Sequence, residues 1–153
     1  MQHLQRHYLS WNAPPHISMC RFPLPPGNLN RVKELLHPDL SCEISGLKTN
    51  GLRHFAQHGT LYLSVGTCSA LEDYRGTITG LLRHEFPALK RHMTISTEVH
   101  LTLGRKLTKE ELLKAEQIPN PFSDPMAFTI SELRLMLELD GKMKQVHRVS
   151  LKN

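Results

Sequence analysis

The stretch "STEVHLTLGRKLTKEE", residues 96–111, decides the reading of the fold. Its centre, His100-Leu101-Thr102-Leu103, alternates polar and apolar side chains, the period of a β-strand with one buried face. Beyond it, Thr108 followed three positions later by Glu111 has the spacing of a capping box and opens a helix. An earlier segment, "PPHISMCRF", repeats the alternation in His16-Ile17-Ser18-Met19. Residues two apart on a strand project to the same face. His16 is therefore set beside Ser18 and His100 beside Thr102, while Ile17, Met19, Leu101 and Leu103 turn to the core.

Outward from these anchors, residues 16–22 read as a strand ended by "PLPPGN". Leu29, Val32, Leu35 and Leu36 recur at helical spacing, with Asn28 or Asn30 as N-cap and Pro38 as stop. Residues 40–47 alternate again, "KTNGLRHFAQHG" (48–59) reads as a polar loop, and "TLYLSVG" (60–66) is a strand with Leu61, Leu63 and Val65 on one face. Ser69 and Glu72 have capping-box spacing and open a helix that Pro87 stops. After the strand at 99–104 and the helix from Thr108, "AFTISELRLMLEL" reads as a long strand whose apolar phase changes between Ile130 and Leu133. One residue near Ser131-Glu132 is expected to bulge. Asp140-Gly141 then supplies a tight hairpin turn into "MKQVHRVSL", and the Met and Leu positions of that hairpin are assigned to the core. The order β-α-β-β occurs twice, as in an internal duplication that His16 and His100 open at equivalent places. A third match, His92-Met93-Thr94-Ile95, lies too far from Thr108 for a strand that turns directly into a helix, so the second motif is assigned to His100.

Length and composition narrow the class. A chain of 153 residues with 39% hydrophobic and 22% charged residues is expected to be one globular domain rather than a disordered segment. No apolar run approaches the ~18 residues of a spanning helix, and the opening "MQHLQRHYLSW" lacks the apolar core of a secretory signal. A cytoplasmic protein with no membrane partner is expected. Cys20, Cys42 and Cys68 are odd in number and scattered, which fits reduced thiols better than a disulfide framework. Ten histidines occur without H-E-x-x-H or comparable spacing, so neither a metal nor another cofactor is expected. The net charge of +5 would draw in an anionic ligand.

If the two units are related by an approximate twofold, their strands present two imidazoles and two hydroxyls to one groove. An imidazole serves as base when neutral and as acid when protonated, so the pair could take a proton from an attacking group and return one to a leaving oxygen. Hydroxyl donors would steady charge on the phosphoryl oxygens.

These residues carry a resemblance. The chain is similar, from about Ala13 to Leu151, to the two-histidine phosphoesterase superfamily and its bacterial 2'-5' RNA ligase-like members. "PPHISM" resembles the first signature, "RHFAQHGTLYLSV" the central segment, "VHLTLGRKLTKEELLKA" the second signature with its helix, and "FTISELRLMLELDGKMKQVHRVSL" the terminal hairpin. The resemblance implies an α+β fold of two pseudo-symmetric β-α-β-β units, bilobal, with antiparallel sheets around a central cleft. Residues 1–153 would form one such domain, with a shortened N-terminal segment (1–15), a first lobe (16–66), a connecting helix (69–86) and a second lobe (99–151). It also implies that His16 and His100 are the catalytic acid/base pair, with Ser18 and Thr102 as their phosphate-binding partners. Arg105 is either a phosphate contact or a solvated charge. Phe22, on the face of His16, would line the groove wall. His54, with His58 and Phe55, would either close over a nucleotide or belong to an ordinary surface loop. Relatives carry an additional strand and helix before the first signature, so here either "RHYLSW" supplies a replacement strand or a second copy of the chain covers that sheet edge.

The expected function is metal-independent cleavage, or reverse ligation, of a nucleotide or RNA phosphodiester such as a 2',3'-cyclic phosphate or a 2'-5' linkage. The alternatives are a non-catalytic module that holds an RNA end or nucleotide on the same fold, and a metal-dependent hydrolase using several histidines.

Overall fold

The computed structural model describes residues 16–37, 40, 42–117 and 124–151. Tyr8, Trp11, the "RHYLSW" segment, Pro38 and residues 118–123 lie outside the described residues. In chain order the elements are helix α1 (Leu29–Leu35), strands β1 (Ile44–Phe55) and β2 (Thr60–Val65), helix α2 (Ser69–Glu85), strand β3 (His100–Gly104), helix α3 (Lys109–Gln117), and strands β4 (Ala127–Ile130), β5 (Glu132–Leu139) and β6 (Lys142–Ser150). One sheet has the order β3-β2-β1-β4 and a second pairs β5 with β6. The β1–β2, β2–β3 and β5–β6 pairs are antiparallel. The fold is therefore α+β with antiparallel sheets, the class that the resemblance implies. No helix of the described residues is long and apolar enough to cross a membrane.

The chain divides into two compact units, each drawing on both halves of the sequence. The first contains residues through Met19, Leu47–Thr67 and Ser96–Ala127. Its core is the apolar phase of the sheet, Leu61, Leu63 and Val65 of β2 with Leu101 and Leu103 of β3, joined by Leu47, Val99, Leu112 and Ala115, all buried. The second contains Cys20–Gly46, Cys68–Ile95 and Phe128–Asn153. It buries Val32, Leu36 and Ile44 with Leu71, Tyr74, Ile78 and Leu82 of α2, and Leu89, Val149 and Leu151.

Several local expectations meet a different outcome. Residues 16–22 form no regular strand: Arg21 exchanges both backbone hydrogen bonds with Thr94, at 2.8 and 2.7 Å, and that bridge stands alone. Pro23, Pro25 and Pro26 lack the N–H donors that would extend the ladder. The polar segment from Lys48 is strand rather than loop as far as Phe55. Its loop-like Asn50-Gly51 is a β-bulge, where the register passes from Thr49↔Val65 to Leu52↔Leu63 and Gly51 takes φ 89°. Helix α2 begins at Ser69 with Cys68 as N-cap and no side-chain cap. Glu72 instead accepts two hydrogen bonds, at 2.8 and 2.9 Å, from the buried Arg75. Met136, Leu139 and Met143 of the last hairpin, assigned to the core, are exposed. The β5–β6 pair is a two-stranded sheet, and these residues lie in the half of it nearer the Asp140-Gly141 turn. The bulge expected near Ser131-Glu132 is instead a break: β4 ends at Ile130, β5 begins at Glu132 and the two join different sheets, while the register irregularity of the hairpin lies between Leu135 and Met136.

Other expectations hold. Thr108 and Glu111 form the full capping box, with Thr108 N–H and Oγ1 donating to Glu111 Oε2 at 2.7 and 2.9 Å and Glu111 N–H donating back to Thr108 Oγ1 at 3.2 Å. Those bonds hold the Glu111 carboxyl below the usual carboxylate range. Asp140 (φ 50°) and Gly141 (φ 72°) make the two-residue turn that pairs Leu139 with Lys142.

Candidate active site

Strand β3 runs antiparallel to β2 with Ser64 opposite His100, Leu63 opposite Leu101 and Tyr62 opposite Thr102. Directly opposed residues share a face, so His100, Thr102, Tyr62 and Ser64 occupy one side of the sheet and the leucines the other. On the far side of β2, Arg53 of β1 opposes Tyr62 and Phe55 opposes Thr60, which adds Arg53, Phe55 and Thr60 to the polar face. The sequence thus builds a two-sided sheet: a leucine face that packs, and a face of hydroxyls, rings and one imidazole.

The imidazole is held tightly. His100 Nδ1 lies 2.9 Å from the main-chain carbonyl oxygen of Glu98. A carbonyl can only accept, so Nδ1 carries the proton and Nε2 of the neutral ring keeps its lone pair. The Phe55 ring meets His100 edge-on at 5.3 Å, the Tyr62 ring lies 5.0 Å from it, and Phe55 stacks on Tyr62 at 4.3 Å. Such ring pairs contribute about 0.5–1.5 kcal/mol each beyond the area they bury. The Glu98 carboxylate accepts from the Tyr62 phenol at 2.9 Å and the Ser64 hydroxyl at 3.0 Å, and the Arg53 guanidinium stands 3.5 Å away. Burial first, then the bond to Glu98 and its charge, push the Tyr62 phenol up to about 12, against the opposing pull of Arg53. Tyr62 is consequently a neutral donor across the physiological range.

The other sequence-derived candidates fall at various places. Thr102 is buried on the His100 face, and Arg105 is exposed on the connection leaving β3. His16 and Ser18 are both exposed, with half-buried Ile17 and Met19 between and after them, so the expected alternation survives without a strand ladder. They belong to the same compact unit as His100. Phe22 is half-buried and belongs to the second unit. His54 lies within β1 opposite Leu61, which places it on the leucine side of the sheet and away from the face of His100. The loop that was to carry it over a nucleotide is strand at that point. His92 is exposed in the turn after Pro87–Arg91, outside any strand.

Sequence reasoning missed Glu98, Tyr62 and Ser64 as neighbours of the imidazole and Arg53 as a neighbour of the Glu98 carboxylate. One signal was present: in "TLYLSV" the residues out of phase with the leucines are Tyr62 and Ser64, polar groups that a buried strand must supply with partners. Burial pushes the Cys20 thiol up to about 11, with Arg83 and Arg75 opposing, so it is no thiolate nucleophile at neutral pH. Among the described residues no group of three or more His, Cys, Asp or Glu side chains could hold a metal ion.

No curated protein matches the chain. The sequence model of the 2'-5' RNA ligase superfamily does match, over residues 1–142, and the α+β fold with antiparallel sheets agrees with it. The chain belongs to the 2'-5' RNA ligase superfamily, one of the two-histidine phosphoesterases.

Proposed function

We propose that the protein is a metal-independent phosphoesterase that cleaves, or in the reverse sense ligates, a nucleotide or RNA phosphodiester of the 2',3'-cyclic or 2'-5' type. In this reading His100 and His16 are the acid/base pair, and Thr102 and Ser18 contact the phosphate, with Arg105 as a further contact. One histidine takes the proton from water or a sugar hydroxyl as it attacks phosphorus, and the other protonates the leaving oxygen.

The observation that carries the reading is the held tautomer of His100. A ring fixed through Nδ1 presents Nε2 as a base when neutral and as an acid when protonated, which is what alternating proton transfer needs. Membership in the superfamily supports a nucleotide or RNA substrate.

The test is turnover of 2',3'-cyclic mononucleotides and 2'-5' dinucleotides by the full chain in the presence of chelator. His16→Ala and His100→Ala should each lower the rate ~10²-fold or more, and His92→Ala should leave it within about twofold. Salt-sensitive binding without product would favour a nucleotide-holding module instead. Activity abolished by chelator, or surviving both substitutions, would refute the scheme.

A further inference from the structure

Glu98 is bonded through two different groups, and only one of them touches His100. Its carboxylate takes the hydroxyls of Tyr62 and Ser64, both on β2. Its main-chain carbonyl takes His100 Nδ1–H at 2.9 Å and the Ser96 hydroxyl at 2.7 Å. The next carbonyl along, that of Val99, accepts Val65 N–H at 2.9 Å. The peptide that sets the His100 tautomer is therefore tied to β2 by a side chain on one side and by backbone on the other. Glu98 precedes the first residue of β3, where the regular ladder has not yet begun to hold the chain.

We infer that Glu98 is a positioning residue for His100: its carboxylate clamps the chain to Tyr62 and Ser64, which fixes its own carbonyl as the Nδ1–H acceptor. As a contribution to catalysis this rests on the phosphoesterase reading. As a statement about the imidazole it does not. The ring nitrogen that carries the proton is set by the bond the other nitrogen makes. With the carbonyl free to rotate, Nδ1–H loses its partner and the proton distributes over both nitrogens. Partners that orient a metal-bound imidazole are worth ~10- to 100-fold when removed, and the same scale is expected for an acid/base imidazole held through Nδ1.

The experiment uses the ¹⁵N-labelled full chain at alkaline pH, where imidazoles are neutral, and reads the ring nitrogens of His100 by long-range ¹H–¹⁵N correlation, with His100→Gln for assignment. The wild type should show the Nδ1–H form. Glu98→Gln, whose amide oxygen accepts from one hydroxyl while its NH2 donates to the oxygen of the other, should keep it. Glu98→Ala should lose it and lower kcat ~10-fold or more with KM within about twofold. Tyr62→Phe, which removes one donor and keeps the ring contacts, should fall between them and serves if Glu98→Ala does not fold. A full Nδ1–H population in both Glu98→Ala and Tyr62→Phe would overturn the inference. Its loss with kcat unchanged would overturn the contribution to catalysis and leave the clamp. If the wild type turns over no phosphodiester but shows the Glu98-dependent tautomer, the phosphoesterase reading fails and the clamp stands.

Discussion

Replacing Gly59 by alanine should destabilise the protein far more than replacing Gly141, although both glycines have positive φ. Gly59 takes φ 55° and ψ 40° after the Ala56–His58 turn, and its carbonyl accepts Leu107 N–H at 2.9 Å. A Cβ built there would lie 2.3 Å from the Leu107 carbonyl oxygen and 2.8 Å from its nitrogen. Backbone atoms cannot swing aside as a side chain could. Left-handed backbone costs alanine roughly 1 kcal/mol, losing the Leu107 bond about 1 more, and shifting the β3–α3 connection about 1–3, giving ~3–5 kcal/mol altogether. At Gly141, φ 72°, nothing lies within 4 Å, so only the left-handed cost of about 1 kcal/mol applies. For a chain of this size the Gly59→Ala midpoint should drop by ~10 °C and that of Gly141→Ala by ~3 °C, read by circular dichroism on heating. Because Leu107 follows Arg105 and Lys106, Gly59→Ala should also move Arg105 and with it any phosphate contact there. Equal midpoints for the two variants would refute the argument, because they share the backbone strain and differ only in the close approach.

Two further outcomes follow from the hydrogen bonds and burial. Thr108→Ala, which removes a formed cap, should cost about 1 kcal/mol in urea denaturation, whereas Ser69→Ala, at a helix start with no side-chain cap bond, should cost close to nothing; the reverse order would contradict the structure. Tyr62 and Tyr74 are each pushed up to about 12, chiefly by burial, so two phenols should titrate late by ultraviolet absorbance in the folded chain and near ~10 in denaturant. Because the folded state holds those protons longer than the unfolded state, stability should be unaffected by them below pH ~10 and should fall as pH rises towards 12; Tyr62→Phe should remove one of the two late phases.

Much of the fold was legible because strand phase and turn chemistry are local. The alternation of His100-Leu101-Thr102-Leu103, the Asp140-Gly141 turn and the Thr108–Glu111 box depend on residues a few positions apart, and all three form. What escaped depends on neighbours distant in sequence. Asn50-Gly51 carries the composition of a loop, yet β1 continues through it because β2 pairs with it on both sides, at Thr49↔Val65 and Leu52↔Leu63, leaving a bulge where the glycine sits. Glu72 could have capped α2, but Arg75, with a side chain only 10% exposed, needs a counter-charge more than the helix end needs an acceptor that water can replace. Phe22, expected beside His16, is grouped with the other unit because the chain changes unit between Met19 and Cys20.

The candidate site shows how much a single residue of phase decides. Within "RHF", Arg53 and Phe55 face Tyr62 and His100, while His54 between them faces Leu61. Composition alone favours the histidine as the functional member of that triplet. The register reverses the choice, because opposed residues on paired strands must share a side and His54 is opposed by a core leucine. The same rule turns Tyr62 and Ser64, flanked by leucines, into the partners of Glu98. A histidine motif therefore specifies a reactive group, but the polar phase of the adjoining strand specifies how that group is held. In this chain the holding runs through Glu98, whose side chain and carbonyl join β2 to the ring nitrogen of His100.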